Sequence, residues 1–457
     1  MIVMKFGGTS VESAQAIQRV AGIIASRADR QPVVVVSAMG HTTDHLLEIA
    51  RLAAAGQRGE ALEKLSQLEK SHVREATQVV TEADRATLEA FLEEHYLELT
   101  ELIKGLAVLG EFTRRTIDAV SSFGERIASF VLTLALRAHG LKAAHVDSRQ
   151  VIVTNDRFSE AAPLMDLTET RLNAVVPPLI AEGNIVVMGG FIASTENGIT
   201  TTLGRGGSDF TASIAGAALR AEEVQIWTDV DGVMTADPSM MPEAHRLRVL
   251  SFGEAAELAY FGAKVLHPST MLPAIKSNIP VRVLNSRRPH VEGTLIVSET
   301  PPSAAVVKSI AYKEGITVVN VQSTRMLMAH GFLAKIFDVF QRHATSVDMV
   351  TTSEVSVSLT VDRTERLAGI VRELEEFAQV SSTPHRAIVC VVGEKIRYTP
   401  GVAAKVFEAL NGINVWMISV GASRLNISLV IDEKDLQAAV EALHHAFFAR
   451  VDETVFA

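Results

Sequence analysis

The chain has 457 residues, 47% apolar and 21% charged, with a formal net charge of -10. That length implies roughly two to four domains, and the apolar fraction excludes a disordered chain. The acidic excess argues against DNA or RNA as a partner, since those want a basic surface, but leaves room for a small anion in a locally basic pocket.

The first 300 residues alternate strand and helix. Ile2–Phe6 is a short apolar strand broken by Gly7-Gly8, and Thr9 or Ser10 is expected to cap the following helix. That helix carries an apolar stripe at Val11, Ala14, Ile17, Val20, Ala21 and Ile24. Pro32–Val36 reads as a strand buried on both faces. Residues 43–140 are mostly helical, and strands return at Ala144–Val146, Ile185–Met188, Val224–Trp227, Ile279–Leu284 and Thr294–Val297. The expectation is an α/β unit with a mostly parallel sheet sandwiched by helices, its ligands beyond the carboxyl ends of the strands. The longest apolar runs, Pro32–Met39 and Ile185–Ala193, are too short to span a bilayer, so no membrane association is expected. The opening does not read as a signal peptide, and the single cysteine, Cys390, allows no intrachain disulfide; both suit a cytoplasmic protein.

Near residue 300, "SETPPSAAVVKS" reads as a linker. An internal repeat follows. "GFLAKIFDVF" at 331–340 matches "GVAAKVFEAL" at 401–410, with identities at Gly331/Gly401, Ala334/Ala404, Lys335/Lys405 and Phe337/Phe407. "SLTVD" at 358–362 matches "SLVID" at 428–432 at the same offset. Two small α+β units, packed on each other, are expected.

Several stretches carry chemistry. No G-x-x-x-x-G-K-[ST] string is present. In "MKFGGTSV" at 4–11, Lys5 instead precedes the glycine pair, which suits either an anion held by backbone N–H groups or a plain tight turn. "TTTLGRGGSDF" at 200–210 places Arg205 among three glycines, suited to gripping a carboxylate, with Asp209 suited to an ammonium group. In "WTDVDGVMTADP" at 227–238, Asp229, Asp231 and Asp237 cluster without EF-hand spacing; they form turns or meet a nucleotide or its magnesium. Lys264 in "FGAKVLHP" and the pair Glu125-Arg126 in "SSFGERIAS" read, taken alone, as surface residues. His444-His445 in the last helix also reads as surface. No metal-binding cluster and no Ser-His-Asp arrangement stands out.

Taken in order, "KFGGTSV", "VVVSAM", "FGER", "VTNDRF", "GGFIAST", "TTTLGRGGSDFTA", "WTDVDGV", "ADP", "FGAKVLHP", "HGFLAKIF" and "VTTSEVSVSL" cover nearly the whole chain. On these strings it resembles the aspartokinases, amino-acid kinases that carry tandem regulatory ACT domains. The resemblance implies an amino-acid kinase fold over 1–298, a linker over 299–306, and two ferredoxin-like ACT domains over 307–384 and 385–457. The first strand of the regulatory part, about 307–312, would join the second ACT unit.

It further implies ATP-dependent phosphorylation of the β-carboxylate of L-aspartate to 4-phospho-L-aspartate, the first step toward lysine, threonine and methionine. Lys5 would meet the transferring phosphoryl group, with Gly7 and Gly8 donating amides. Ser37 and Thr43 would orient aspartate, Arg205 would grip its α-carboxylate, and Glu125 and Asp209 would take its α-ammonium. Thr228 and Asp229 would meet the nucleotide and Lys264 its phosphates, with Mg2+ riding on ATP and no metal site of the protein's own. Met234 and Ser239 stand where tyrosine and arginine are common, which puts adenine stacking and one phosphate contact in question. The ACT pair resembles the lysine-sensing type, with an effector near Met326, Gly331, Phe332, Leu333, Asp348, Ser353 and Glu354. Ala329 stands there in place of a common serine. Lysine is the expected effector and threonine the runner-up. A homodimer through the ACT domains, or a tetramer, is expected. The alternatives are an amino-acid sensor of little activity and a related kinase with another acceptor.

Overall fold

The computed structural model describes residues 1–262, 268–301, 303, 305–323 and 330–457. By the density of their contacts they form two compact units, Met1–Gly232 with Val265–Glu299, and Val233–Lys264 with Thr300–Ala457.

In chain order the first unit holds β1 (Ile2–Phe6), α1 (Ala14–Ala25), β2 (Pro32–Val36), α2 (Thr42–Ala54), α3 (Arg58–Thr77), α4 (Glu82–Leu109), α5 (Arg114–Ala138), β3 (Ala143–Val146), α6 (Ser148–Val151), β4 (Val153–Thr154), α7 (Met165–Ala181), β5 (Ile185–Gly189), β6 (Ile192–Thr195), β7 (Thr200–Thr202), α8 (Gly207–Ala218) and β8 (Val224–Thr228). β9 (Val249–Ser251) and α9 (Phe252–Tyr260) belong to the second unit, and α10 (Leu272–Lys276), β10 (Val281–Asn285) and β11 (Thr294–Val297) return to the first.

The first unit's main sheet runs β3-β5-β2-β1-β8-β10-β11. Its pairings are parallel except between β10 and β11. All five residues of β2 are buried, as a strand covered on both faces requires. Alternation along β1 sends Met4 and Phe6 into the core that α1 and α5 share, and sends Val3 and Lys5 toward α8. Helix α5 is long and apolar enough to cross a bilayer, yet 89% of that stretch is buried inside the unit; it is a core helix. β4, β6 and β7 form a small second sheet.

The second unit continues with β12 (Ser309–Gln322), α11 (Phe332–Arg342), β13 (Val350–Thr352), β14 (Ser356–Val361), α12 (Leu367–Glu375), β15 (Gln379–Val392), α13 (Val402–Ala409), β16 (Val415–Val420), β17 (Asn426–Asp432) and α14 (Leu436–Phe448). Its sheet, β13-β14-β12-β15-β17-β16, is antiparallel throughout. The repeat is visible as strand, helix, two strands and helix, twice. Gly331 and Gly401 occupy matching left-handed positions at the starts of α11 and α13, with φ of 81° and 86°. β12 serves both copies. Its first half pairs with Ile388–Val392 of β15, which pairs onward to β17, and its second half pairs with β14. The expected parallel-sheet unit followed by an α+β pair is what the chain forms.

Candidate active site

Lys5 lies near the carboxyl end of β1, where its side chain points toward α8 and its Nζ sits 2.6 Å from Asp209 Oδ1. Asp209 stands in the first turn of α8, where the helix dipole favours a carboxylate. Beyond β1, Gly7 donates its N–H to Trp227 O at 3.1 Å, and a single tight turn spans Gly8–Ser10. A Cβ on Gly8 would lie 2.9 Å from Gly40 O and 3.0 Å from Ala38 O. Only glycine lets this loop press against the one after β2, and Gly40 N–H donates to Gly8 O at 3.1 Å. The expected Thr9 or Ser10 cap is corrected here. α1 begins at Ala14 with Ser13 as its cap, and the buried Ser10 donates instead to Ser286 Oγ at 2.8 Å.

A cavity of about 300 Å³ opens among these loops, lined by Lys5, Ser37, Thr43, Glu125, Ser208 and Asp209, with the backbone of Gly204, Gly206 and Gly207. It sits beyond the carboxyl ends of parallel strands, where such sheets hold ligands. Glu125 comes from the middle of α5. It is only 4% exposed, its Oε2 has no hydrogen-bond partner, and burial pushes its carboxyl up to about 8. The surface reading of Glu125-Arg126 fails because α5 is buried on all sides. Arg126 is buried too, over the Phe123 ring and bonded to Glu98 at 2.9 Å.

Not every expected site residue lines the cavity. Arg205 is exposed on the rim between two cavity-lining glycines. Thr228 and Asp229 lie at the end of β8, where Thr228 Oγ1 donates to Asp229 at 3.2 Å. Asp231 is held by Asn285 at 2.6 Å and by Arg288, so it organises a turn. Asp237, in the second unit, accepts from Ser239 and from Tyr312, and Met234 O accepts from Ser309 at 2.8 Å. Lys264 and Met326 lie outside the described residues.

Two contributors escaped the sequence reading. Asp118, buried on α5, accepts from Ser159 N, Thr202 N and Thr202 Oγ1 between 2.7 and 3.0 Å, and so fixes the strand that leads into the Gly204–Gly207 loop. Gly190 is required because a Cβ there would lie 2.6 Å from Ser208 Cβ. Sequence offers a signal only for the glycine, in the string "GGFIAST".

In the second unit, Phe332 is buried beside Gly331 and Leu333 is exposed. Asp348, buried, takes Lys313 Nζ at 2.8 Å and Tyr260 OH at 3.3 Å, while its Oδ2 is unpartnered. Lys313 also reaches Asp362 at 2.7 Å. Ser353 closes a turn onto Ser356, and Glu354 is exposed. The surface reading of His444 is wrong. It is 3% exposed, bonded to Thr235 Oγ1 at 2.9 Å and stacked on His245.

A family model described as the amino acid kinase family matches residues 1–285, and one described as an ACT domain matches residues 389–447. Aspartokinase 2, chloroplastic, of Arabidopsis thaliana is 41% identical over 98% of this chain and 84% of its own length. The chain belongs to the aspartokinase family. Lysine-sensitive aspartokinase 3 of Escherichia coli is 36% identical over 98% of this chain and 99% of its own. Two solved structures of E. coli aspartokinase III each cover 98% of the chain. The complex with lysine and aspartate, a T-state, has a TM-score of 0.83 at 35% identity and is itself 99% covered. The complex with aspartate and ADP, an R-state, has a TM-score of 0.81 at 36% identity and is 100% covered.

Proposed function

We propose that the chain transfers the γ-phosphoryl group of ATP to the β-carboxylate of L-aspartate, giving 4-phospho-L-aspartate and ADP. The observation that carries this is the cavity itself. An ammonium group, Lys5, and a buried carboxylate without a cation, Glu125, line one space at the carboxyl ends of the strands. Aspartate and the phosphoryl group it attacks complete this arrangement. Its α-ammonium answers Glu125, and its β-carboxylate approaches a phosphoryl group held at Lys5.

The nucleophile needs no base, because a carboxylate with an ordinary pKa near 3.9 is ionised at neutral pH. The barrier is repulsion between two anions, which a fixed cation and aimed N–H groups lower. Lys5 supplies the cation and Asp209 holds it in place. The Gly7 N–H is already given to Trp227 O, which leaves this loop's phosphate contact to Gly8 beside Lys5, and Ser37 and Thr43 orient the acceptor. Arg205, on the rim, takes the α-carboxylate with two parallel bonds, and Thr228 and Asp229 meet the nucleotide. Among the described residues no three His, Cys, Asp or Glu side chains are grouped to hold a metal. A magnesium ion carried in on ATP would keep phosphate and water oxygens as its ligands.

Lysine is the proposed feedback effector. The buried Asp348, with one unpartnered oxygen, suits a cationic side chain, and the lysine-bound E. coli enzyme shares this fold over nearly all of the chain. A homodimer through the second unit is supported by Trp416, Ile418 and Val420, exposed on β16 at the sheet's edge.

Hydroxylamine trapping of the acyl phosphate, with aspartate and then glutamate as acceptor, tests the activity. Product with aspartate alone is expected. Product with neither acceptor would favour an amino-acid sensor, and product with glutamate alone would move the chain to a sister kinase.

A further inference from the structure

On the face of the main sheet opposite Lys5 and Asp209 lies a second cavity, of about 550 Å³. Glu223, just before β8, stands in a row with Gln225 and Trp227 on β8 on this face, and Arg282 and Leu284 sit beside them on β10. The row is a hydrogen-bonded ladder. Trp227 Nε1 donates to Gln225 Oε1 at 3.1 Å, and Gln225 Nε2 donates to Glu223 Oε1 at 2.6 Å. Glu223 then anchors two arginines, Arg282 at 3.2 Å and Arg30 at 3.5 Å. A third, Arg27, comes from just beyond the end of α1. Its guanidinium lies 4.6 Å above the Trp227 ring.

Among the described residues these cations are only partly matched. Arg27 bonds only to Ile23 O and Ser26 Oγ. Arg30 makes two long contacts, the second to Glu222 at 3.7 Å, and Glu222 is already engaged by the N-terminal ammonium at 2.8 Å. Arg282 adds only a long bond to Glu292 O at 3.4 Å. Each guanidinium offers five N–H donors in a planar fork, so most of the donors here face the cavity or solvent. Even counting Glu292 on the rim, the cavity keeps an excess of positive charge. Burial first, and then the charges of Arg30 and Arg282, push the Arg27 pKa down, with Glu223 opposing them. Glu223 offsets only part of the repulsion among three arginines turned toward one space, and a second anion would offset more.

We propose that this cavity is a binding site for a small phosphate-type oxyanion, gripped by Arg27, Arg30 and Arg282 and separate from the catalytic cavity. Glu223 aims the forks of Arg30 and Arg282, and the Trp227 ring supports the third. The ligand is free inorganic phosphate or a phosphate monoester on a small molecule.

Calorimetric titration of the full chain with inorganic phosphate, at ionic strength held constant with chloride, tests this. Lys5→Ala separates the catalytic cavity, and Arg27→Gln and Arg282→Gln report on the new one. Phosphate binding is expected to persist in Lys5→Ala and to weaken about tenfold or more with each arginine change. Arg27→Lys keeps the charge but loses the fork, and should fall between. If an arginine variant does not fold, Arg30→Gln takes its place, because Arg30 makes only long contacts and is more exposed than Arg282. A parallel titration with glycerol phosphate assigns the source. Tighter binding than free phosphate marks an ester ligand, and weaker binding marks the free anion. Phosphate binding that is lost only in Lys5→Ala, or is absent from the unaltered chain, overturns the proposal.

Discussion

Glu125 in the first unit and Asp348 in the second are both buried carboxylates, and burial raises the pKa of each. They differ in what stands opposite. Asp348 has an ammonium of the chain itself, Lys313, at 2.8 Å, and Lys313 is shared with Asp362. Among the described residues, no cation is paired with Glu125. A catalytic pocket tolerates an unmatched group because its substrate completes the pattern and the energy held there favours binding. A regulatory element has to be stable with or without its effector, so it carries its own counter-ion and the effector must compete. Binding at the second unit should therefore be the more modest and the more easily tuned.

The largest expected effect comes from removing the cation in the cavity. Lys5→Ala should lower kcat by about a thousandfold, as loss of an electrostatic stabiliser of the transition state does, with circular dichroism unchanged. A variant with near-normal turnover would break the electrostatic side of the comparison. Glu125→Gln should come next. Without the carboxylate, KM for aspartate should rise about ten- to a hundredfold, while the protein becomes more stable at neutral pH. The sign follows from the raised pKa. Between the ordinary value of 4.5 and about 8 the folded state holds a proton that the unfolded state has lost, so stability drains as pH rises through that window. At pH 7 the ceiling on the recovered stability is about 3 kcal/mol. Urea melts of both proteins at pH 5 and pH 7.5 measure this. Equal stability at both pH values would show that Glu125 is matched after all.

What could be read from the sequence follows the same division. The strands, the glycine turns and the repeat are local patterns, and Lys5, Gly8 and Asp209 sit within them. Asp118 was illegible because its partners lie 41 and 84 residues away and only the packing of α5 under β7 joins them. Glu125 and Arg126 look like a surface pair in any helical projection. They are buried because α5 has neighbours on every side, which periodicity along one helix does not reveal. The arginine cavity was missed for a related reason. Arg27, Glu223 and Arg282 are unremarkable where they stand in sequence, and only the parallel register of β8 and β10 and the packing of the turn after α1 bring them together.

On the regulatory side, Asp348→Asn should weaken inhibition by lysine about tenfold while leaving uninhibited turnover unchanged. Activity titrations with lysine and threonine measure it. Inhibition by threonine alone would overturn the choice of effector, and unchanged lysine inhibition would move the effector away from Asp348. The change should also cost some stability, since Lys313 would keep only Asp362 as a carboxylate partner.

The smallest effect concerns acid. His72 and His145 in the first unit and His444 in the second are held near a pKa of about 4, in each case chiefly by burial. His72 lies between Tyr96 OH at 2.6 Å and Thr42 Oγ1 at 3.0 Å, and His145 accepts or donates at Ser129 Oγ at 3.0 Å. All three bind protons more readily in the unfolded chain, whose histidines titrate near 6.5. Stability is therefore full above about pH 6.5 and falls as pH drops toward 4. Glu125 works against this slope in the upper part of the range, so the net loss should steepen only below about pH 5, where Glu125 is protonated in the folded state and increasingly so in the unfolded one. His444→Gln keeps a bond to Thr235 within reach and removes one of the three titrations. It should make the acid limb shallower without moving the neutral plateau. If the limb keeps its full slope, the acid sensitivity resides in the first unit alone, and the two units differ in their histidines as they do in their carboxylates.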